Sequence, residues 1–247
     1  MVFWGQFIEK WKKQNNMVSK NFDKLEETLE IKFKNKKLLQ QAFVHRSCLN
    51  ENPGLKMDHN ERLEFLGDAV LELAVTRNLF NKYPNPEGEL TTWRAALVNS
   101  KMLSKIAVKL GFNDYLMLSK GEAQDSGRAR QFILANTLEA LVGAIYLDQG
   151  FGAAEKFIKD KLLSELPRVL EEKLYLDPKS HFQEHAQEKV GITPNYEVLK
   201  EEGPDHAKSF VVGVYLNEEL VAKGKGPSKQ AAQEDAAKKA LKKKNWE

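Results

Sequence analysis

Asn60-Glu61-Arg62-Leu63-Glu64-Phe65-Leu66-Gly67-Asp68-Ala69-Val70-Leu71 is the stretch on which the reading of this 247-residue chain turns. Read as a helix, it stacks Glu64 and Asp68 at i, i+4 on one face, with Glu61 one turn before Glu64. Leu63, Leu66, Val70 and Leu73 form an apolar stripe on a neighbouring face. The two carboxylates have no Lys or Arg at the bonding positions and repel each other. At a solvated surface that costs little, and the stretch is an ordinary acidic helix face. Inside a protein, a cation must neutralise the pair.

A second stretch tips the balance towards the inside. Phe132-Ile133-Leu134-Ala135-Asn136-Thr137-Leu138-Glu139-Ala140-Leu141-Val142-Gly143-Ala144-Ile145-Tyr146 is apolar almost all round, the mark of a buried helix. Asn136 and Glu139 share a face at i, i+3, and no basic residue lies within the run to pair with the acid. The economical arrangement sets Asn136 and Glu139 opposite Glu64 and Asp68 around a metal ion, as carboxylates on facing helices do in bundle cores. Without Cys or a convergent His, the all-oxygen donor set selects a hard cation, Mg²⁺ or Mn²⁺, over zinc.

Working outward, residues 20–173 are helical almost throughout. Phe22, Leu25 and Leu29 make one helix face, and Asn35 caps a helix carrying Leu38, Leu39, Ala42 and Phe43. Asn52-Pro53-Gly54 breaks the chain before the acidic helix, and Tyr83-Pro84-Asn85-Pro86 ends that helix near Lys82. Leu90 to Leu110 reads as one further helix, Gly121 to Arg130 as a loop, and Ala153 to Leu166 as a closing helix. No strand is needed, so this part is an all-α bundle. Leu174-Tyr175-Leu176-Asp177-Pro178-Lys179 is the linker (174–179). Over 180–247 the rhythm changes. A helix (Ser180–Val190) precedes an alternating run from Tyr196 to Lys200, a turn at Gly203-Pro204-Asp205-His206, clean alternation at Phe210, Val212, Val214 and Leu216, and a third strand from Leu220 to Lys225. Ser228 then caps a last helix whose alanines let it lie close on a sheet. The order is α-β-β-β-α.

Charge is divided within this second part. Residues 174–222 hold four Lys against nine acids, a balance of −5, and residues 223–247 hold eight Lys against three acids, a balance of +5. Lys223, Lys225 and Lys229 lead into the last helix, whose N-terminal N–H groups and dipole make a phosphate seat. Lys242–Lys244 read as a solvated end. Overall, 30% charged and 42% hydrophobic residues suit a globular chain, and the net charge of +3 says little by itself. No run approaches the roughly 18 apolar residues of a membrane span, and no signal peptide is visible, so no membrane partner is expected. Cys48 is the single cysteine, which excludes an internal disulfide and fits a cytoplasmic home. Residues 1–19 are an extension with Phe3, Trp4, Phe7, Ile8 and Trp11 at helical spacing. We read them as a helix docking on its own domain, or as a leader before an internal start near Met17, rather than as a membrane-surface helix.

These motifs together resemble the ribonuclease III family of double-stranded-RNA endonucleases. The resemblance rests on Asn60–Leu71, on Ala42-Phe43-Val44-His45-Arg46-Ser47, on Glu87-Gly88-Glu89-Leu90 with Arg94-Ala95-Ala96-Leu97-Val98-Asn99, and on the C-terminal part, and it spans roughly residues 20–243. It implies an all-α endonuclease domain (20–173) followed by a small α+β double-stranded-RNA-binding domain (180–247). It implies a homodimer with Phe65 at the interface, an RNA-holding valley between the copies, and staggered Mg²⁺-dependent cuts leaving 5′-phosphate and 3′-hydroxyl ends, in ribosomal and messenger precursors. Glu64, Asp68 and Glu139 match three of the four acidic metal positions, with Asp68 and Glu139 catalytic, and Glu61 stands at the edge of the site. By the same resemblance Gln183, Gln187 and the His206 turn meet the minor groove, and Lys225, Lys229 and Gln230 meet phosphates. A second Lys often stands where this chain has Gln230.

Asn136 departs from the pattern, which has Asp there. Its amide oxygen still ligates a metal, but the site loses one unit of charge, so weaker Mg²⁺ affinity is expected. Two readings follow, an endoribonuclease and a double-stranded-RNA-binding protein with impaired cleavage. His45 is read as a hydrogen-bonding residue rather than a general base. His181 and His185 are spaced i, i+4 as in zinc-binding helices, but no third ligand accompanies them in the sequence.

Overall fold

The computed structural model describes residues 20–204 and 208–246, so the readings of residues 1–19 and of His206 lie outside the described residues. Contacts divide the chain into two compact units, one up to Glu172 and one from Lys173.

The first unit is helical: α1 (Phe22–Leu29), α2 (Lys36–Ala42), α3 (Arg46–Glu51), α4 (Glu61–Lys82), α5 (Glu87–Val98), α6 (Ser100–Lys109), α7 (Lys120–Gln124), α8 (Arg128–Gln149), α9 (Phe151–Lys161) and α10 (Leu166–Glu171). Short 3₁₀ turns lie at Phe112–Asp114 and Leu163–Glu165. Its helix starts are written in polar side chains. Asn21, Asn35, His45, Asn99 and Ser119 each accept a hydrogen bond from a backbone N–H of the first turn that follows. His45 therefore caps α3, a helix the hydrophobic pattern did not reveal. Its Nδ1 also lies 2.8 Å from the Ser47 hydroxyl, which accepts from the Ser119 N–H at 3.0 Å and ties α3 to the start of α7.

The single helix expected over Leu90–Leu110 is two helices. Asn99 is extended (φ −71°, ψ 155°), its side-chain oxygen accepts from Met102 N–H at 2.9 Å, and its amide donates back to the Ala96 carbonyl at 2.9 Å. One side chain thus closes α5 and opens α6. Gly121–Arg130, expected as a loop, contains α7 and the start of α8, because Ser119 caps the former. The closing helix is α9 followed by a 3₁₀ turn and α10.

Helices α4 and α8, of 22 residues each, form the central pair. Leu63, Gly67, Val70, Leu71, Ala74, Val75 and Leu79 are the buried residues of α4. The expected stripe is corrected here. Leu66 is only half-buried and Leu73 is exposed, together with Phe65 (82% exposed) and Phe80 (77%). The inward arc of α4 instead includes Gly67, whose backbone touches that of α8.

The second unit is α11 (Pro178–Val190), β1 (Asn195–Glu202), β2 (Ser209–Leu216), β3 (Glu219–Gly226) and α12 (Lys229–Lys244). The three strands form an antiparallel sheet in the order β1-β2-β3. Helix α11 begins at Pro178, inside the stretch read as linker, because Asp177 caps it by accepting from Ser180 N–H at 3.0 Å and Pro occupies the first position. Phe182, Ala186, Val214, Leu216, Val221, Ala236, Ala237, Ala240 and Leu241 form the core, joined by a smaller cluster of Phe210, Val212 and Ala232. A side chain on Gly224 would stand 2.2 Å from the Ala232 carbonyl oxygen, so the glycines of β3 and the alanines of α12 allow close packing of helix on strand.

Candidate metal centre and nucleic-acid interface

The first candidate site is built on the crossing of α4 and α8. A Cβ on Gly67 would lie 1.7 Å from the Glu139 carbonyl oxygen, and one on Gly143 would lie 2.2 Å from that of Leu63. Only glycine at both positions lets the two backbones touch. The contact seats Glu139 one residue from Asp68 across the interface, and Glu64 lies one turn away along α4. Thr137, fully buried on α8, turns its hydroxyl inward to the Ile133 carbonyl at 2.7 Å, leaving the polar face of the helix to Asn136 and Glu139.

The electrostatics of this crossing are those of crowded acids. Burial, then the carboxylates of Asp68 and Glu64, push the Glu139 carboxyl up to about 7. Burial also raises Glu64. The Asn136 amide donates to it and pulls it back, and Glu61 and Asp68 raise it further. Glu61 itself is exposed at the margin, 3.8 Å from both the Arg46 guanidinium and His59 Nδ1. Among the described residues, no group of three or more His, Cys, Asp or Glu side chains is drawn tightly enough to hold a metal ion. Glu64, Asp68 and Glu139 are therefore neighbours in an open ring rather than a closed cage. That is the arrangement expected of carboxylates that repel one another. The donor set still fits a hard divalent cation. Every candidate ligand atom is an oxygen, and the excess negative charge that lifts Glu139 is what such a cation neutralises.

Phe65 points elsewhere. It lies on the exposed arc of α4 with Leu73 and Phe80 and is not buried in the crossing with α8. The sequence reading missed the far end of the α8 polar face, where the Arg128 guanidinium lies over the Phe132 ring at 5.5 Å. Arg128, expected in a loop, opens α8.

The second candidate site belongs to the other unit. Gln183 and Gln187 are exposed on one face of α11, and Gln187 donates to the Thr193 hydroxyl at 3.3 Å. Lys225 and Lys229 are exposed at the end of β3 and the start of α12. The Lys225 N–H donates to Asp235 at 2.8 Å, Lys229 reaches over the Phe210 ring at 5.9 Å, and Gln230 bonds Glu234 at 3.1 Å. Ser228 caps α12 by accepting from the Ala231 N–H at 3.1 Å. Lys179, assigned to the linker from sequence, instead bonds Gln233 of α12 at 2.7 Å and covers the Tyr196 ring.

Comparison with known proteins places both units in known families. Residues 35–166 match the family described as Ribonuclease-III-like, and residues 178–244 match the double-stranded RNA binding motif. The chain is 46% identical over 219 residues to Ribonuclease 3 of Enterococcus faecalis, covering 88% of this chain and 95% of that one. It is 47% identical over 208 residues to Ribonuclease 3 of Natranaerobius thermophilus, covering 84% and 90% respectively. A crystal structure of the nuclease domain of the Campylobacter jejuni ribonuclease III superposes with a TM-score of 0.54 at 42% identity, covering 60% of this chain and 97% of that one. A second structure of that domain, described for flexibility in a region involved in dimer formation, gives a TM-score of 0.51 at 42% identity, covering 57% and 98%. The first unit is thus a ribonuclease III nuclease domain and the second a double-stranded-RNA-binding domain, and the chain belongs to the ribonuclease III family of endoribonucleases.

Proposed function

We propose that two copies of this chain cut both strands of double-stranded RNA by Mg²⁺-dependent hydrolysis, leaving 5′-phosphate and 3′-hydroxyl ends, with precursor RNAs in the cytoplasm as substrates. The reading is supported by the glycine crossing, beside which Glu64 and Asp68 of α4 and Asn136 and Glu139 of α8 lie within electrostatic reach of one another. Those four residues would hold the ion. When bound, a divalent cation supplies a water of lowered pKa and neutralises phosphodiester charge. Asp68 and Glu139 orient the attacking water, and Glu64 fixes the geometry of the ring under the hold of the Asn136 amide. Glu61, kept at the rim by Arg46 and His59, acts at the edge of the site. Gln183, Gln187 and His206 meet the minor groove, and Lys225, Lys229 and Gln230 meet phosphates. The exposed Phe65, Leu73 and Phe80 form the contact between copies, a patch of the kind that marks an interface.

The test is labelled duplex RNA with Mg²⁺. Short duplex products with ligatable 5′-phosphates are expected. A second reading, a binder with impaired cleavage, is favoured by the neutral amide at 136. Stable complexes without product, unchanged by Asn136→Asp, would establish that reading and overturn the first.

A further inference from the structure

The histidine pair that the sequence left without a third ligand acquires a geometry in the fold. His181 and His185 stand one turn apart on α11, and their Nε2 atoms converge to 2.9 Å. Their rings lie 4.6 Å apart. Burial, and then His185, lower the ionisation of His181 below the ordinary histidine range, so its ring is neutral near pH 7. His185 Nδ1 is buried without a hydrogen-bond partner, and the nearest carboxylate, Glu188, stands 3.6 Å from it. Trp246 borders the pair, stacking on Phe182 at 5.5 Å and standing 6.4 Å from the His185 ring.

We propose that His181 and His185 form a two-imidazole binding site for a d-block divalent cation of the Cu²⁺ or Ni²⁺ type, separate from the acidic ring of the nuclease unit. Nitrogens 2.9 Å apart, each at a metal–nitrogen distance of about 2.0–2.1 Å, subtend about 90° at the ion. That is the angle of adjacent ligands in tetragonal Cu²⁺ and Ni²⁺ centres, whereas tetrahedral Zn²⁺ would want the nitrogens about 3.4 Å apart. The proton shared between the two Nε2 atoms moves to an Nδ1 by exchange with water, so both Nε2 lone pairs become free without change of net charge. The Nδ1–H of His185 then faces Glu188, the carboxylate partner that metal-bound imidazoles commonly use. Two protein ligands leave the remaining positions to water. An ion here clamps adjacent turns of the helix whose outer face carries Gln183 and Gln187.

The experiment uses the full, tag-free chain, stripped with chelator and held in excess Mg²⁺ to saturate oxygen sites. Cu²⁺ or Ni²⁺ is titrated against tryptophan fluorescence, since Trp246 borders the pair. Saturable quenching is expected, weakened at least tenfold in His181→Ala and in His185→Ala, and a few-fold in Glu188→Gln. Circular dichroism in chelator checks that the variants fold. On the unmodified chain, Ni²⁺ should broaden the imidazole resonances of His181 and His185 before those of His45 and His59. Equal quenching in all variants, or broadening that begins elsewhere, overturns the site. RNA cleavage does not enter either readout, so the nuclease reading and this one fail independently.

Discussion

Gly67 presses its backbone against the carbonyl of Glu139, so that a methyl group on it would stand 1.7 Å from that oxygen. The clash is with backbone, not with a side chain that could swing aside. Gly67→Ala must therefore push α4 off α8. We expect a loss of about 3 kcal/mol or more in urea unfolding, at the upper end of overpacking costs. Any folded fraction should have lost Mg²⁺ binding at the acidic crossing, because α4 and α8 no longer hold their acids together. Wild-type unfolding in this variant would contradict the glycine crossing.

Asn136→Asp adds a fourth carboxylate where the amide now donates to Glu64. In chelator the added repulsion should lower the melting temperature. With Mg²⁺ the variant should gain more than the wild type, and calorimetry should find about tenfold tighter binding, near 1.4 kcal/mol. Glu139→Gln should reduce cleavage at least about 100-fold while leaving duplex binding intact. Equal Mg²⁺ affinity in the first variant would separate residue 136 from the metal.

Phe65 is 82% exposed beside Leu73 and Phe80. Phe65→Arg should convert the sedimenting species from dimer to monomer and leave the helical circular dichroism unchanged. A wild-type chain that sediments as a monomer at all concentrations would remove the interface.

Lys225→Ala and Lys229→Ala should each weaken duplex binding across unrelated sequences and each lower the slope of log affinity against log salt by about 1. Gel-shift titrations at several salt concentrations measure both. An unchanged slope would place the phosphates elsewhere.

Glu165 gives the fold an acid limit. Lys109 hydrogen-bonds it, burial opposes, and Lys105 at 3.3 Å adds to the hold, lowering its carboxyl to about 2 from an ordinary 4.5. Arg168 contacts it as well, at 2.9 Å. A lowered folded value means the stabilisation is complete above pH 4.5 and is lost as pH falls towards 2. The carboxylate is 12% exposed but its cations are 38–55% exposed, so solvent screening leaves about 1–2 kcal/mol. Glu165→Gln should flatten that part of the stability–pH curve, as followed by urea unfolding between pH 5 and 2.

The packing of the two acid-bearing helices was legible because they advertise themselves. Glu64 and Asp68 keep helical spacing, and α8 is too apolar for Glu139 to lie there unpartnered. What the pattern concealed was the joint. A glycine inside a helical run reads as a mild weakness, and only coordinates reveal that Gly67 and Gly143 meet. Asn99 was hidden for a similar reason. Midway along an apolar run, Asn is equally a solvent-facing residue and a cap, and the periodicity of Leu97, Met102 and Ile106 continues across it. Ser119 and His45 open helices too short for periodicity to register. Asp177-Pro178, by contrast, carried a legible cap and first-position signal within the stretch assigned to the linker. The histidine pair shows the limit most plainly. Spacing places two rings on one face, but not how far apart their nitrogens stand.

The alternation along β3 has a consequence for how the second unit finds its pairing during folding. Gly224 is buried against α12, while Lys223 and Lys225 on either side of it are exposed. Were β3 to slip by one residue, an ammonium group would be driven into the alanine-lined seam and the glycine would be stranded in water. Mispaired intermediates are thereby penalised by charge burial as well as by lost packing, and the lysines of β3 proofread the assembly of the domain that carries them.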